Sequence, residues 1–123
     1  MKITFKPQTE WLPPQDFPDL SKYDEIAIDL ETKDPNLNKR MGSGSVVGEG
    51  DVVGISLATH DWCAYYPIAH EGGGNMDRKM VLKWLQDQLN TPATKIFHNA
   101  MYDVCWLRAL GLKINGRIVD TMI

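Results

Sequence analysis

The chain has 123 residues, 43% of them apolar and 24% charged, with a formal net charge of −3. Apolar content of that size, together with four Trp, four Tyr and three Phe, excludes a disordered chain. No stretch approaches the roughly 18 apolar residues of a membrane helix, and the length suits one domain whose core needs no disulfide or structural metal.

The first residues, Met1 to Pro7, reach charge and proline too soon to hold the apolar centre of a signal peptide, so a cytoplasmic address and no membrane are expected. Cys63 and Cys105 form no C-x-x-C and each lies in an apolar segment, which predicts two reduced, buried thiols. The mild acidity lacks the basic excess of a protein that binds nucleic acid by backbone electrostatics. Nucleic acid remains open as a substrate, because an enzyme that holds phosphates through divalent cations gathers carboxylates at its site.

Residues 7–20 carry Pro7, Pro13, Pro14 and Pro18 with Trp11, Leu12, Phe17 and Leu20 between them. Proline removes donors and fixes the backbone, so residues 1–23 are expected to form an extended arm on the surface, with the core beginning after it. Residues 25–32 alternate as a strand, with Ile26, Ile28 and Leu30 on one face and Ala27, Asp29 and Glu31 on the other. Lys33 to Asp51 is glycine- and serine-rich and reads as a long mobile loop. Val52 to Ala58 and Trp62 to Ile68 form a predicted hairpin turning at Thr59-His60-Asp61.

Gly72-Gly73-Gly74 breaks the chain, and Val81, Leu82, Trp84, Leu85 and Leu89 then recur at helical spacing, with Asn75 or Asp77 as the N-cap. Thr94 to Phe97 predicts a short strand. Asn99 is placed to cap a helix running to Leu110 and ending at Gly111, and Ile114 to Val119 predicts a last strand. The order β, β, β, α, β, α, β implies a mixed sheet with helices on its faces.

Two features carry chemistry. Asp29 and Glu31 leave the same strand face with Cα atoms about 6.5–7 Å apart, which suits two cations about 4 Å apart sharing one carboxylate. The spacing D-x-E is also common on solvated strand faces. Asp103 lies in the first turn of the second helix, where a negative charge stabilises the helix end. The helix continues with Val104, Cys105, Trp106, Leu107 and Leu110, so Asp103 is drawn toward the interior, and a buried carboxylate asks for a partner such as a metal.

The blocks IAIDLET, GISLA with AYYPIAH, KIFHNAMYDVCWLRALG and IVDTMI, in that order, resemble the proofreading 3′-to-5′ exonuclease domain of family A DNA polymerases, within the DEDD exonuclease superfamily. The similarity runs from about residue 24 to the end, and the long 33–51 loop suits a phage-type polymerase. The resemblance implies an α/β, ribonuclease-H-like mixed five-stranded sheet with flanking helices, over residues 24–123. It implies hydrolysis of the terminal phosphodiester of a single-stranded DNA 3′ end, releasing nucleoside monophosphates, with two divalent ions, Mg2+ or Mn2+.

Carried over residue by residue, Asp29 bridges both ions, Glu31 binds the ion on the attacking-water side and Asp103 holds the other. Thr32 matches the position whose backbone lies against the terminal nucleotide, Leu37 the apolar residue that wedges near the terminal bases, and Asn99 and Tyr102 support the metal and the scissile strand. For Tyr102, packing on Trp106 one turn later is an equal reading. Asp120 reads as a polar residue ending the last strand, and His60, His70 and His98 as turn or surface residues.

The sequence has no Tyr-x-x-x-Asp, so by the resemblance the family's fourth carboxylate, the residue that orients the water and the C-terminal helices of the fold are expected to have no counterpart in these residues. The chain is therefore expected to hydrolyse DNA poorly alone, to associate with itself through uncovered sheet surface and to belong with a downstream polymerase domain, in a bacterial or phage-infected cell. Two alternatives keep the fold. One is a catalytically silent nucleic-acid-binding or scaffold fragment, and the other an RNA-trimming exonuclease of the same superfamily.

Overall fold

The computed structural model describes residues 13–14, 16–33 and 50–122. Five strands and two helices alternate along it: β1 (Glu25–Lys33), β2 (Asp51–Ala58), β3 (Cys63–Pro67), α1 (Arg78–Leu89), β4 (Thr94–Phe97), α2 (Ala100–Ala109) and β5 (Ile118–Asp120). The sheet order is β3-β2-β1-β4-β5. β1, β2 and β3 pair antiparallel, whereas β4 lies parallel to both β1 and β5. This is the mixed α/β sheet expected from the element order.

The alternation of β1 sorts its two faces. Ile26, Ile28 and Leu30 are buried, while Asp29 and Glu31 are exposed. Ile28 lies opposite Leu57 and Leu30 opposite Ile55, so the apolar face continues across β2. Trp84, Leu85 and Leu89 of α1 and Trp106 and Leu107 of α2 join the same core, which places both described helices on that face. Full burial of each such side chain contributes about 1.5–3 kcal/mol. On the opposite face Ala27, Ser56, Ala58 and Ile96 are only half-buried, and no described helix covers them.

Helix ends follow local chemistry. Asp77 is the N-cap of α1, its carboxylate accepting from the Met80 N–H at 3.2 Å. α2 stops at Gly111, in the left-handed region (φ +82), where the Gly111 N–H reaches the Arg108 carbonyl and the Leu112 N–H reaches Leu107. That paired return of amides to the last turn is the glycine stop read from the sequence.

Four expectations change. The core begins before residue 24: Leu20 is 1% exposed, its N–H donates to buried Gln88, and Phe17 stacks on Tyr66. The last strand is shorter and later than 114–119, because Lys113 and Asn115 donate backbone N–H groups to Gln86 and Leu89 of α1 before Gly116 turns the chain at φ +84. Cys63 is free but exposed, since it lies on the open face of the edge strand β3, and Cys105 is half-buried rather than buried. Asn99 occupies the N-cap position of α2 without using its side chain, because its backbone is left-handed (φ 66) and another residue does the capping.

Candidate metal and nucleic-acid site

The ladder between β1 and β4 covers Glu25 to Ala27 alone. β4 ends at Phe97 while β1 runs on to Lys33, and the first turn of α2 follows at Ala100. Asp103 lies in this turn at 3% exposure, accepting a hydrogen bond from the Leu30 backbone N–H. Its other oxygen, Oδ2, is buried and has no hydrogen-bond partner, a state it shares among the described side chains with Trp106 Nε1.

Burial pushes the Asp103 carboxyl up to about 7, with the nearby Asp29 charge adding to the effect and Asp120 contributing less. A carboxylate this far from water, beside a second carboxylate, is costly when ionised and unpaired. A divalent cation between Asp29 and Asp103 removes both costs, and an all-oxygen donor set matches Mg2+ or Mn2+. The residues present therefore fit the implied ions. No three acidic, His or Cys side chains among the described residues gather around one point.

Glu31 follows Asp29 on the open face, and the two share a hollow of about 270 Å³ with Ser56 and Tyr65. The Tyr65 phenol donates to Glu31 Oε2 at 2.6 Å and lies 2.5 Å from His70 Nε2. Burial, then the Glu31 carboxylate, raises the Tyr65 phenol above the ordinary tyrosine range. His70, read from the sequence as a turn or surface residue, thus stands 3.8 Å from Glu31. Sequence reasoning missed both partners, although both lie within the block AYYPIAH.

Between Glu31 and Thr32 the register with β2 shifts, with Glu31 opposite Gly54 and Thr32 opposite Val52. Such a bulge re-aims side chains beside a site. Thr32 turns toward α2, where its hydroxyl meets the Tyr102 phenol at 2.6 Å. Tyr102 also packs edge-on against Trp106, the packing expected one turn on. Leu37 lies outside the described residues.

The helix that carries Asp103 is anchored from β5. Asp120 Oδ1 accepts the Asn99 N–H at 2.9 Å and Oδ2 the Ala100 N–H at 3.0 Å, while Oδ1 also takes the Met122 N–H at 2.9 Å. These amides, Met122 first, hold the Asp120 carboxyl below the usual carboxylate range. Asp120 therefore does more than end a strand: it satisfies two free N–H groups of a helix whose own cap residue does not.

No family model matches the chain. It is 32% identical over 109 residues to a DNA-directed DNA polymerase of Pseudomonas phage M6, an alignment that covers 85% of this chain and 16% of that protein. It is 35% identical over 75 residues to DNA polymerase I of Chloroflexus aurantiacus, covering 59% of this chain and 8% of the polymerase. Among solved structures, the Aedes aegypti Nibbler EXO domain superposes with a TM-score of 0.58 at 17% identity, over 85% of this chain and 46% of that one. These similarities give the chain the fold of that exonuclease domain and a sequence relationship to DNA polymerases, of which it spans only a short segment.

Proposed function

We propose that the chain belongs to a proofreading exonuclease domain that shortens single-stranded DNA from its 3′ end, joined in the whole protein to a polymerase domain. The buried, unpartnered Asp103 Oδ2 beside Asp29 carries this reading, because a carboxylate held ready without a proton donor or a lysine fits a cation. Bound Mg2+ or Mn2+ supplies an activated water and charge neutralisation at the scissile phosphate.

The chain's own residues do the rest. Asp29 and Asp103 would hold one ion beside the start of α2, and Asp29 and Glu31 would hold the other on the open sheet face. Thr32 and Tyr102, joined by their hydroxyls, form the wall between strand and helix against which the terminal nucleotide lies. A groove of about 400 Å³ lined by Ala27, Asp29, Ala58 and Ile96 gives apolar surface for a sugar or base next to the carboxylates.

The test combines a 5′-labelled single strand with Mn2+ and, separately, a calorimetric titration of Mn2+ in the presence of a deoxynucleoside monophosphate. Stepwise loss from the 3′ end, or two-ion binding with nucleotide, each abolished by Asp29→Asn, supports the reading. A chain that neither binds Mn2+ nor cuts is a silent scaffold, and preference for an RNA strand assigns it to the RNA-trimming branch.

A further inference from the structure

We propose that Tyr65 and His70 are positioning residues for Glu31, and that Gly54 exists to let them reach it. The inference rests on the reading of Glu31 as a metal ligand. Glu31 has an exposed side chain on an open sheet face, and an unrestrained glutamate there loses rotamer freedom whenever it binds an ion. Three observations show that it is restrained.

The first is the chain of polar contacts. A phenol has one proton, and Tyr65 gives it to Glu31 Oε2 at 2.6 Å. The 2.5 Å contact with His70 Nε2 must then be made by an N–H of the imidazole donating to the phenol oxygen. Donors thus run in one direction, from His70 through Tyr65 to the carboxylate, and bonds in such a series strengthen one another.

The second is the way the end of that series is held. The His70 backbone N–H donates to Asn75 Oδ1 at 2.7 Å, and Asn75 Nδ2 donates back to the His70 backbone carbonyl at 2.9 Å. Asn75, read from the sequence as a candidate helix cap, instead closes the loop that carries the imidazole.

The third is Gly54. Tyr65 pairs with Ser56 across β2, so its own row of the sheet leads to Asp29 rather than Glu31. To reach Glu31 the ring crosses diagonally over Gly54, the residue opposite Glu31. A Cβ at Gly54 lies 1.8 Å from the Tyr65 hydroxyl and 2.2 Å from the ring carbon that bears it. Any other residue at position 54 displaces the phenol from the carboxylate.

The experiment measures Mn2+ affinity and thermal stability of the full chain for wild type, Asp29→Asn, Glu31→Gln, Tyr65→Phe and the Glu31→Gln/Tyr65→Phe pair. Tyr65→Phe keeps the ring and removes the donor. It is expected to weaken Mn2+ binding by about tenfold or more, the usual consequence of losing an outer partner of a ligand. The double variant is expected to bind no more weakly than Glu31→Gln alone, because the phenol acts only through that carboxylate. Gly54→Ala is expected to reproduce the Tyr65→Phe loss.

A metal-free readout stands beside these: the Glu31 carboxyl carbon resonance moves in Tyr65→Phe. Unchanged or tighter Mn2+ binding in Tyr65→Phe while Glu31→Gln weakens it overturns the positioning role and leaves the metal reading intact. A static Glu31 resonance overturns the role without reference to metal. Mn2+ binding insensitive to both Asp29→Asn and Glu31→Gln overturns the metal reading and this inference with it.

Discussion

The Thr32 hydroxyl and the Tyr102 phenol meet at 2.6 Å, joining the strand that carries Asp29 and Glu31 to the first turn of the helix that carries Asp103. The contact spans 70 residues of sequence and holds the two halves of the acidic site in one register. Removing it by Tyr102→Phe is expected to cost about 1 kcal/mol of stability, the net worth of a partly buried hydrogen bond. A double-mutant cycle with Thr32→Val in urea unfolding checks this. Fully additive losses would show that the two hydroxyls do not act on each other.

Asp103 gives the metal-free chain a characteristic pH dependence. Its carboxyl is raised from 3.8 to about 7 in the folded state, so folding favours the protonated form. The stabilising contribution is complete below about pH 4, falls as pH rises and is lost above about 7. The displacement corresponds to at most on the order of 4 kcal/mol. Asp103→Asn is therefore expected to raise the melting temperature at pH 8 and to change it little at pH 4. Added Mn2+ is expected to stabilise the wild type and not the variant at pH 8. Equal effects of the substitution at both pH values would remove the buried-carboxylate account.

Asp120 is predicted to act with the opposite sign. Its carboxyl is held low by amides of Met122, Ala100 and Asn99, so its contribution is present above the ordinary aspartate range and disappears on acidification. Asp120→Ala leaves the start of α2 uncapped and is expected to lower the melting temperature at pH 7 by several degrees. Faster amide exchange confined to the first turn of α2 and to the residues after β5 is the local signature.

Trp84 ties the N-terminal segment to the core. Its indole N–H donates to the Pro18 carbonyl at 2.8 Å, and its ring lies 4.7 Å from that of Tyr66 and 5.7 Å from that of Phe17. Trp84→Ala is expected to cost about 3–5 kcal/mol. Deleting the residues before Asp19 should cost less but remain measurable, because Phe17 and the Pro18 carbonyl are lost while Leu20 stays. A truncated chain as stable as the full one would return this segment to the role of an outer arm.

Much of the site was readable from residues in order. The alternation of Glu25 to Thr32 placed Asp29 and Glu31 on the face away from the core, and the apolar residues that follow Asp103 predicted its burial. Gly111 marked the end of its helix. Periodicity succeeds here because it reports which side of its own strand or helix a residue takes, and that follows from backbone geometry over a few residues.

The partners of those side chains belong to longer range. Asp120 caps a helix 20 residues earlier, Tyr65 reaches Glu31 across 34, and the Leu20 N–H meets Gln88 across 68. None of these contacts follows from local spacing. Each depends on how the register of β2 against β1, the bulge at Glu31 and the parallel return of β4 and β5 bring separate segments together. Residue types named the carboxylates, and strand order supplied the hydroxyls, amides and imidazole that hold them.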